Sequence, residues 1–236
     1  MTIVRFEARD DLYDDAAERL ARISAEAIRD RGRFLVALSG GETPRPLLER
    51  LASPACAKRL DWSVVDVFWV DERCVAPTDE RSSVRAAQEA LLDRVAIPAD
   101  RIHRIAGEID PLAAADAYEL TLREVLGKEG RLDLILLGIG ADGHTASLFP
   151  RHQALTETGR WVVPVHAPAD PPWRVTMTVP LINAARHVLF LVTGKEKATA
   201  VRDLQKGEPL PASMVHPADG SLTVLVDADA ASLLEG

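Results

Sequence analysis

Apolar residues recur along the chain with two different periods. From Leu12 to Ala27 they return every three or four positions, which predicts an amphipathic helix that ends at Gly32. Elsewhere they form short continuous runs, which predict strands that are buried on both faces. These predicted strands lie at residues 33–38, 64–70, 132–138, 161–166, 174–179, 187–193 and 222–226.

The predicted helices lie between these strands. Thr43 is expected to cap a helix that has Pro44 in its first position. Another helix is expected to begin at Ser82 or Ser83 and to extend to Val95. The remaining helices are predicted at residues 110–127 and 195–205.

The alternation of the two kinds of segment predicts the fold class. It is typical of an α/β fold with a mostly parallel sheet and helices on both faces. The proline-rich stretch at residues 166–173 is short, and regular patterns resume after it. We therefore interpret this stretch as a loop and expect a single domain over residues 1–236.

The charge and cysteine content narrow the class of protein. The chain has 28 Lys and Arg against 36 Asp and Glu, a formal net charge of −8, which argues against a nucleic-acid-binding protein. A small anionic ligand is not excluded, because a few cations can reverse the potential in one cleft. Cys56 and Cys74 are too few for a disulfide framework and indicate a reducing compartment. No apolar run has the length of a signal peptide or a membrane span, so we expect a cytoplasmic protein without membrane contact.

Candidate chemistry follows three of the predicted strands. In open α/β sheets, ligands bind beyond the carboxyl ends of the strands. After the strand at residues 33–38 come Ser39, Gly40, Gly41 and Thr43, whose small side chains and free backbone N–H groups could hold a phosphate or a carboxylate. The alternative is a plain tight turn between a strand and a helix. The spacing matches neither the dinucleotide fingerprint nor the P-loop.

Two charged segments follow the next strands. Asp71 and Arg73 come directly after residues 64–70, where Arg73 could bind an anion or a developing oxyanion, unless the charges only pair between neighbouring elements. Asp142 and His144 lie in a glycine-rich loop after residues 132–138 and are expected at the start of a helix. A histidine there can act as a general base while the carboxylate orients its ring; the alternative is a capping Asp and a surface His.

Two further cations complete the candidate site. Arg174 opens a predicted strand, and Lys197 lies near the start of a predicted helix. Lys195 is so close to Lys197 that spacing alone cannot choose between the two lysines. The other histidines have no mutual metal-ligand spacing, so we predict no metal site.

These motifs together resemble a known family. The segments SGGETP (39–44), VDERCV (70–75), LLGIGADGHTASLFP (136–150), RVTMT (174–178) and GKEKA (194–198) occur in the order and spacing typical of 6-phosphogluconolactonases. DGHTASLFP is the most specific of them. The SGG-x-TP and Lys-Ala elements are also shared with glucosamine-6-phosphate deaminases and with the effector domains of sugar-responsive repressors.

The resemblance implies a Rossmann-like α/β fold without a nucleotide and a cofactor-free hydrolysis. The implied substrate is 6-phospho-D-glucono-1,5-lactone, and the product is the 6-phosphogluconate of the oxidative pentose phosphate pathway. By resemblance His144 is the base that activates water, Arg73 contacts the substrate or the intermediate, and Asp142 lies near the base. The implied phosphate and sugar contacts are Gly40, Gly41, Thr43, Arg174 and Lys197. From their own positions directly after predicted strands, Ser39 and Asp71 are further candidate substrate contacts.

Two alternatives from the same superfamily stay open. The deaminases resemble this chain as far as His144 but then carry a glutamate, where this chain has Ser147-Leu148-Phe149, which favours lactone hydrolysis. A repressor effector domain is normally joined to a DNA-binding helix-turn-helix. This chain instead begins with an acidic predicted helix and has no basic recognition helix. The sequence leaves monomer and dimer equally open.

Overall fold

A computed structural model describes residues 1–235 and places ten strands in two sheets. The strands are β1 (Thr2–Phe6), β2 (Phe34–Leu38), β3 (Val65–Trp69), β4 (Asp71–Arg73), β5 (Ile102–His103), β6 (Leu134–Leu137), β7 (Val162–His166), β8 (Trp173–Met177), β9 (His187–Val192) and β10 (Ser221–Asp227). Seven of them form one sheet in the order β1-β10-β9-β6-β2-β3-β5, and every neighbouring pair in it is parallel. The prediction of a mostly parallel α/β fold is therefore confirmed.

Seven α-helices connect and cover the strands. They are α1 (Arg9–Arg31), α2 (Arg45–Leu51), α3 (Pro54–Ala57), α4 (Ser83–Ala90), α5 (Pro111–Leu126), α6 (Val179–Asn183) and α7 (Ala198–Lys206). Short 3₁₀ helices lie at Trp62–Val64, Leu92–Arg94, Ala99–Arg101, Gly127–Glu129, Gln153–Thr156, Lys195–Lys197 and Ala212–Met214. Among residues 1–235, no helix combines the length and the apolar character that crossing a bilayer requires.

The sequence patterns explain the layers of the fold. Strands β2, β3 and β6 are buried along their whole length, as continuous apolar runs require when both faces of a sheet are covered. Helix α1 packs on β2 and β10 through the apolar face predicted from its periodicity. It ends at Gly32, whose φ of 74° is left-handed and whose N–H donates to the carbonyl of Ile28 at 2.8 Å.

A second sheet corrects the predicted arrangement. The strands predicted at residues 161–166 and 174–179 do not join the parallel sheet; as β7 and β8 they form an antiparallel sheet with β4. Val70 connects the two sheets: its N–H donates to the carbonyl of Leu38 at 2.9 Å, and its carbonyl accepts from the N–H of Met177 at 2.8 Å. An apolar run indicates that a strand is buried but not which strand it pairs with. The sequence pattern therefore could not assign β7 and β8 to a second sheet.

Several local expectations were wrong. Thr43 does not cap α2, because Pro44 occupies that position and no side chain accepts a hydrogen bond from the helix start. Helix α4 ends at Ala90 rather than at Val95. No helix follows Asp142, where the chain forms turns. Strand β1 was missed because its residues are only partly buried.

Candidate active site

One cleft lies across the carboxyl ends of β9, β6, β2 and β3, four neighbouring strands of the parallel sheet. Its volume is about 220 Å³. The site residues predicted from the sequence line it, with the exception of Asp142: Ser39, Gly40, Gly41, Thr43, Asp71, Arg73, His144, Arg174 and Lys197. The topology brings these residues together because the carboxyl ends of parallel strands share one edge of the sheet.

The loop after β2 owes its glycines to close packing and to backbone conformation. A Cβ on Gly40 would overlap the hydroxyl of Ser83, and Gly41 has a φ of 100°, which L side chains rarely adopt. The hydroxyl of Ser39 donates to the carbonyl of Leu136 at 2.8 Å, so its proton is already used within the protein. The loop is thus held in place with its backbone facing the cleft.

His144 and Asp142 form a hydrogen-bonded pair at the edge of the cleft. The Nδ1 atom of His144 lies 2.6 Å from Oδ1 of Asp142, which also accepts the backbone N–H of His144 at 3.1 Å. An ionised carboxylate at this distance favours the tautomer with the proton on Nδ1, which leaves the lone pair of Nε2 as a base. Gly140 makes the geometry possible, because a Cβ there would overlap the imidazole.

The charge of Asp142 is stabilised by its neighbours. Partial burial acts to raise the pKa of this carboxyl, but the hydrogen bonds from the backbone and the ring of His144 outweigh it and hold the pKa below its usual range. Asp142 therefore stays ionised near neutral pH. Its side chain contacts the imidazole and does not line the cleft.

Two arginines face the cleft from neighbouring strands of the small antiparallel sheet. Arg73 on β4 and Arg174 on β8 are direct partners in the antiparallel register. Arg174 is only 8% exposed, and burial, together with the charge of Arg73, lowers its pKa. Among the described residues, neither guanidinium has a carboxylate within ion-pair distance, and neither Nε atom has a hydrogen-bond partner. Like charges placed side by side without counterions favour an anion between them.

The two candidate lysines differ in their position relative to the cleft. Lys197 lines the cleft at the start of α7, whereas Lys195 does not line it. The preceding Gly194 has a φ of 100°, and its N–H donates to both carboxylate oxygens of Asp227 at 3.1 Å. Asp227 is buried and also accepts from Arg9, so it fixes the loop that carries Lys197.

Sequence reasoning missed the buried partner of Asp71. The hydroxyl of Ser147 donates to Oδ2 of Asp71 at 2.6 Å, and both side chains are buried. The backbone N–H of Ser147 in turn donates to the hydroxyl of Thr176 at 3.3 Å. This chain of contacts fixes one oxygen of Asp71 at the cleft wall. Residues so distant in sequence give no signal of such a contact before the fold is known.

Glu72 has a structural rather than a substrate-facing position. Its carboxylate is 2% exposed and accepts the backbone N–H groups of Arg73, Ser83 and Val84 and the hydroxyl of Ser82, at 2.7 to 2.9 Å. Burial raises the pKa of Glu72, and these hydrogen bonds oppose the rise. Ser82 and Ser83, at the start of α4, were the only sequence signal of this anchor.

We expect Glu72→Gln to lower the free energy of unfolding by about 1–3 kcal/mol, because an amide NH₂ would face donors and leave one of them unpaired. Urea unfolding at neutral pH measures the change. Glu80→Gln, which alters an exposed residue nearby, is the matched control. Equal stability of wild type and Glu72→Gln would show that water, and not Glu72, accepts the hydrogen bonds of the N–H groups at the start of α4.

Two further observations concern possible metal ligands and the thiol beside the cleft. Across residues 1–235, no group of three or more His, Cys, Asp or Glu side chains is arranged to hold a metal ion. Cys74 lies beside Arg73, but burial and the neighbouring Glu72 and Asp110 raise the pKa of its thiol to about 11. This thiol is protonated at neutral pH and is a poor nucleophile.

Comparison with known proteins shows which family the chain belongs to. The family model of glucosamine-6-phosphate isomerases and 6-phosphogluconolactonases matches residues 7–224. The chain belongs to this family. Within the family, it is 39% identical over 246 residues to a probable 6-phosphogluconolactonase 3, chloroplastic, of Oryza sativa subsp. indica, covering 97% of this chain and 75% of the rice protein.

Solved structures of the family share the fold over nearly the whole chain. A 6-phosphogluconolactonase from Thermotoga maritima superposes with a TM-score of 0.86 at 29% identity, covering 96% of this chain and 99% of that one. A monomeric glucosamine-6-phosphate deaminase superposes with a TM-score of 0.82 at 26% identity, covering 99% and 100%. Both branches of the family therefore have this fold, and the residues of the cleft have to distinguish them.

Proposed function

We propose that this protein hydrolyses 6-phospho-D-glucono-1,5-lactone to 6-phosphogluconate in the oxidative pentose phosphate pathway. The observation that carries the proposal is the set of residues that line the cleft at the edge of the parallel sheet. The His144–Asp142 pair lies on one side, and three cations without carboxylate partners among the described residues, Arg73, Arg174 and Lys197, line the same space. A base and an anion site in one cleft fit an ester that carries a remote phosphate.

The proposed chemistry needs one water molecule and no covalent intermediate on the protein. Nε2 of His144 takes a proton from water as the hydroxide oxygen bonds to the lactone carbonyl carbon. The carbonyl oxygen gains the negative charge, which Arg73 stabilises. When the intermediate collapses, the bond from this carbon to the ring oxygen breaks. The ring oxygen then receives the proton from the imidazolium, so His144 returns to its neutral form and the open-chain acid is released.

The cations supply binding energy that orients the lactone ring. Lys197 and the backbone of Gly40 and Gly41 are the proposed phosphate contacts, with Arg174 between the phosphate and the ring. Binding energy from a remote phosphate can be used to align the reacting carbonyl with the base. Asp71, held by Ser147, is the proposed acceptor for a sugar hydroxyl.

The segment Ser147-Leu148-Phe149 favours the lactonase over the deaminase. Deaminases carry a glutamate in the segment after the histidine, whereas this chain has Ser147, whose hydroxyl is buried against Asp71. Ring opening of an amino sugar would therefore lack the assistance of that glutamate. The direct test measures 6-phosphogluconate formed from freshly prepared lactone above the spontaneous rate, and ammonia released from glucosamine 6-phosphate. Ammonia release without accelerated lactone hydrolysis would overturn the proposal.

Arg73→Lys should lower kcat/KM for the lactone roughly 10-fold, because a point ammonium does not reproduce the planar fork of a guanidinium. Steady-state kinetics above the spontaneous background measure the loss. Arg94→Lys, at an exposed position outside the cleft, should leave the kinetics unchanged. Unaltered kcat/KM in Arg73→Lys would give Arg73 a purely structural role.

The cytoplasm is the proposed compartment. Cys56 and Cys74 are both free thiols, as a reducing environment favours. The rice relative carries the word chloroplastic in its name, which describes that protein. The proposed partner is the phosphorylated lactone alone, with no nucleic acid or membrane.

A further inference from the structure

A second cavity lies at the opposite end of the parallel sheet from the cleft. It has a volume of about 210 Å³, close to that of the cleft. Two of the arginines that line it, Arg33 and Arg186, directly precede β2 and β9 in the sequence. Four arginines line it in all, and we call it the arginine cavity: Arg31, Arg33, Arg131 and Arg186.

The one buried carboxylate in the arginine cavity is already satisfied. Asp133 is 1% exposed, and its Oδ1 accepts from Arg31 at 3.0 Å while its Oδ2 accepts the backbone N–H of Leu35 at 2.9 Å. The only other acidic residue in the lining, Glu129, is largely exposed at the rim. Four guanidiniums against two carboxylates leave the cavity with a net positive charge.

Two of these arginines are held by backbone carbonyls instead of by acids. Arg33 donates to the carbonyl of Val125 at 2.8 Å. Arg131 donates to the carbonyls of Ala184 and Asp219, both at 3.0 Å. Within the described part of the chain, neither has a carboxylate within ion-pair distance, although most arginines of this acidic protein do. Their positions are fixed, but their charges stay uncompensated.

Arg186 has the most unused hydrogen-bonding capacity. Its side chain makes no hydrogen bond to any described residue, and its Nε atom is buried without a partner. The nearest acidic oxygens are those of Asp133, 3.5 Å from Nε, and Glu129, 4.0 Å from Nη2. A buried donor left without an acceptor costs free energy, which a bound anion would recover.

We propose that the arginine cavity is a second anion site, which binds inorganic phosphate or the phosphate group of a small ester. Guanidinium forks match the geometry of phosphate oxygens, and several converge here on one concave space. The site is separate from the cleft, because the two lie at opposite ends of parallel strands. It therefore does not depend on the proposed lactonase activity.

Calorimetric titration with inorganic phosphate at low ionic strength tests the proposal. Three proteins are compared: the wild type, Arg33→Gln/Arg186→Gln, and Arg59→Gln/Arg202→Gln. The last variant removes the same charge from surface ion pairs that do not line the cavity. We expect Arg33→Gln/Arg186→Gln to lose one phosphate-binding event, to keep its circular dichroism spectrum, and to keep kcat and KM for the lactone.

The outcomes separate a built site from general charge attraction. The control variant should bind phosphate as the wild type does, and Lys197→Ala should keep the binding event that Arg33→Gln/Arg186→Gln loses. Identical titrations of wild type and Arg33→Gln/Arg186→Gln would overturn the proposal, as would an equal loss in the control. A parallel titration with glycerol 3-phosphate distinguishes the sources: tighter binding of the ester indicates a phosphorylated small molecule, and tighter binding of phosphate indicates the free ion.

Discussion

His144→Asn should lower kcat for lactone hydrolysis about 100-fold or more, with KM changed only a few-fold. General-base catalysis typically contributes a factor of roughly 10² to 10⁴, and an asparagine amide cannot accept the proton of the attacking water. In the wild type the imidazole packs against the ring of Phe149, with centroids 4.7 Å apart. The asparagine side chain can still occupy the space of the imidazole. The measurement is initial rate above spontaneous hydrolysis, with folding checked by circular dichroism.

The matched control is His216→Asn, which changes an exposed histidine outside the cleft and should keep full activity. A His144→Asn enzyme with most of the wild-type kcat would exclude His144 as the base. Asp142→Asn should fall between the two variants, because it keeps the imidazole but removes the carboxylate that selects the proton position on Nδ1. If Asp142→Asn were as active as wild type, the pair would have no role in orienting the base.

The pH dependence of the wild type follows from the same pair. The pKa of Asp142 is held below its usual range, so this carboxylate does not take up protons between pH 5 and 8. Because a protonated imidazole cannot accept a proton from water, kcat/KM should fall toward acid pH. The acid limb should be lost in the residual activity of His144→Asn.

Lys197→Ala should raise KM for the phosphorylated lactone about 10- to 100-fold and change kcat by only a few-fold. A hydrogen bond to a charged group is worth roughly 1.5–3 kcal/mol, and this one would be made equally in the ground state and the transition state. Lys195→Ala is the control on the same segment, since Lys195 does not line the cleft. Steady-state kinetics of both variants give the comparison.

A substrate without phosphate sharpens this test. With glucono-1,5-lactone, Lys197→Ala and wild type should have equal kcat/KM, because the contact that the variant lacks is missing from both reactions. An effect of the same size on both lactones would place Lys197 at the reacting ring instead of at the phosphate. An unchanged KM for the phosphorylated lactone would move the phosphate contact to another cation.

The sequence was sufficient to predict those residues of the site that directly follow a strand. Gly40, Arg73 and His144 each come soon after a buried apolar run, and parallel strands in one sheet bring such positions to one edge. The fold class followed from the same alternation. Lys197 and Lys195 could not be separated by spacing, because the choice depends on how the 3₁₀ turn after Gly194 directs each side chain.

The contacts between distant segments could not be predicted. The bond from Ser147 to Asp71 and the anchoring of α4 by Glu72 join residues that lie on different elements. Local patterns report burial and turns but not partners. The same reason explains the second sheet, where β7 and β8 are largely buried like core strands, yet β8 pairs with β4 and β7 pairs with β8.

The pairing of Arg73 with Arg174 across β4 and β8 links the folding of the small sheet to the assembly of the active site. The two arginines become neighbours only when β8 docks on β4, and those strands are far apart in the chain. Contacts with long sequence separation form late, since closing large loops costs entropy before any contact compensates it. Any state in which β8 is not yet docked on β4 has a divided cation site. Recovery of catalysis during refolding should therefore report docking of the small sheet, after most secondary structure has formed.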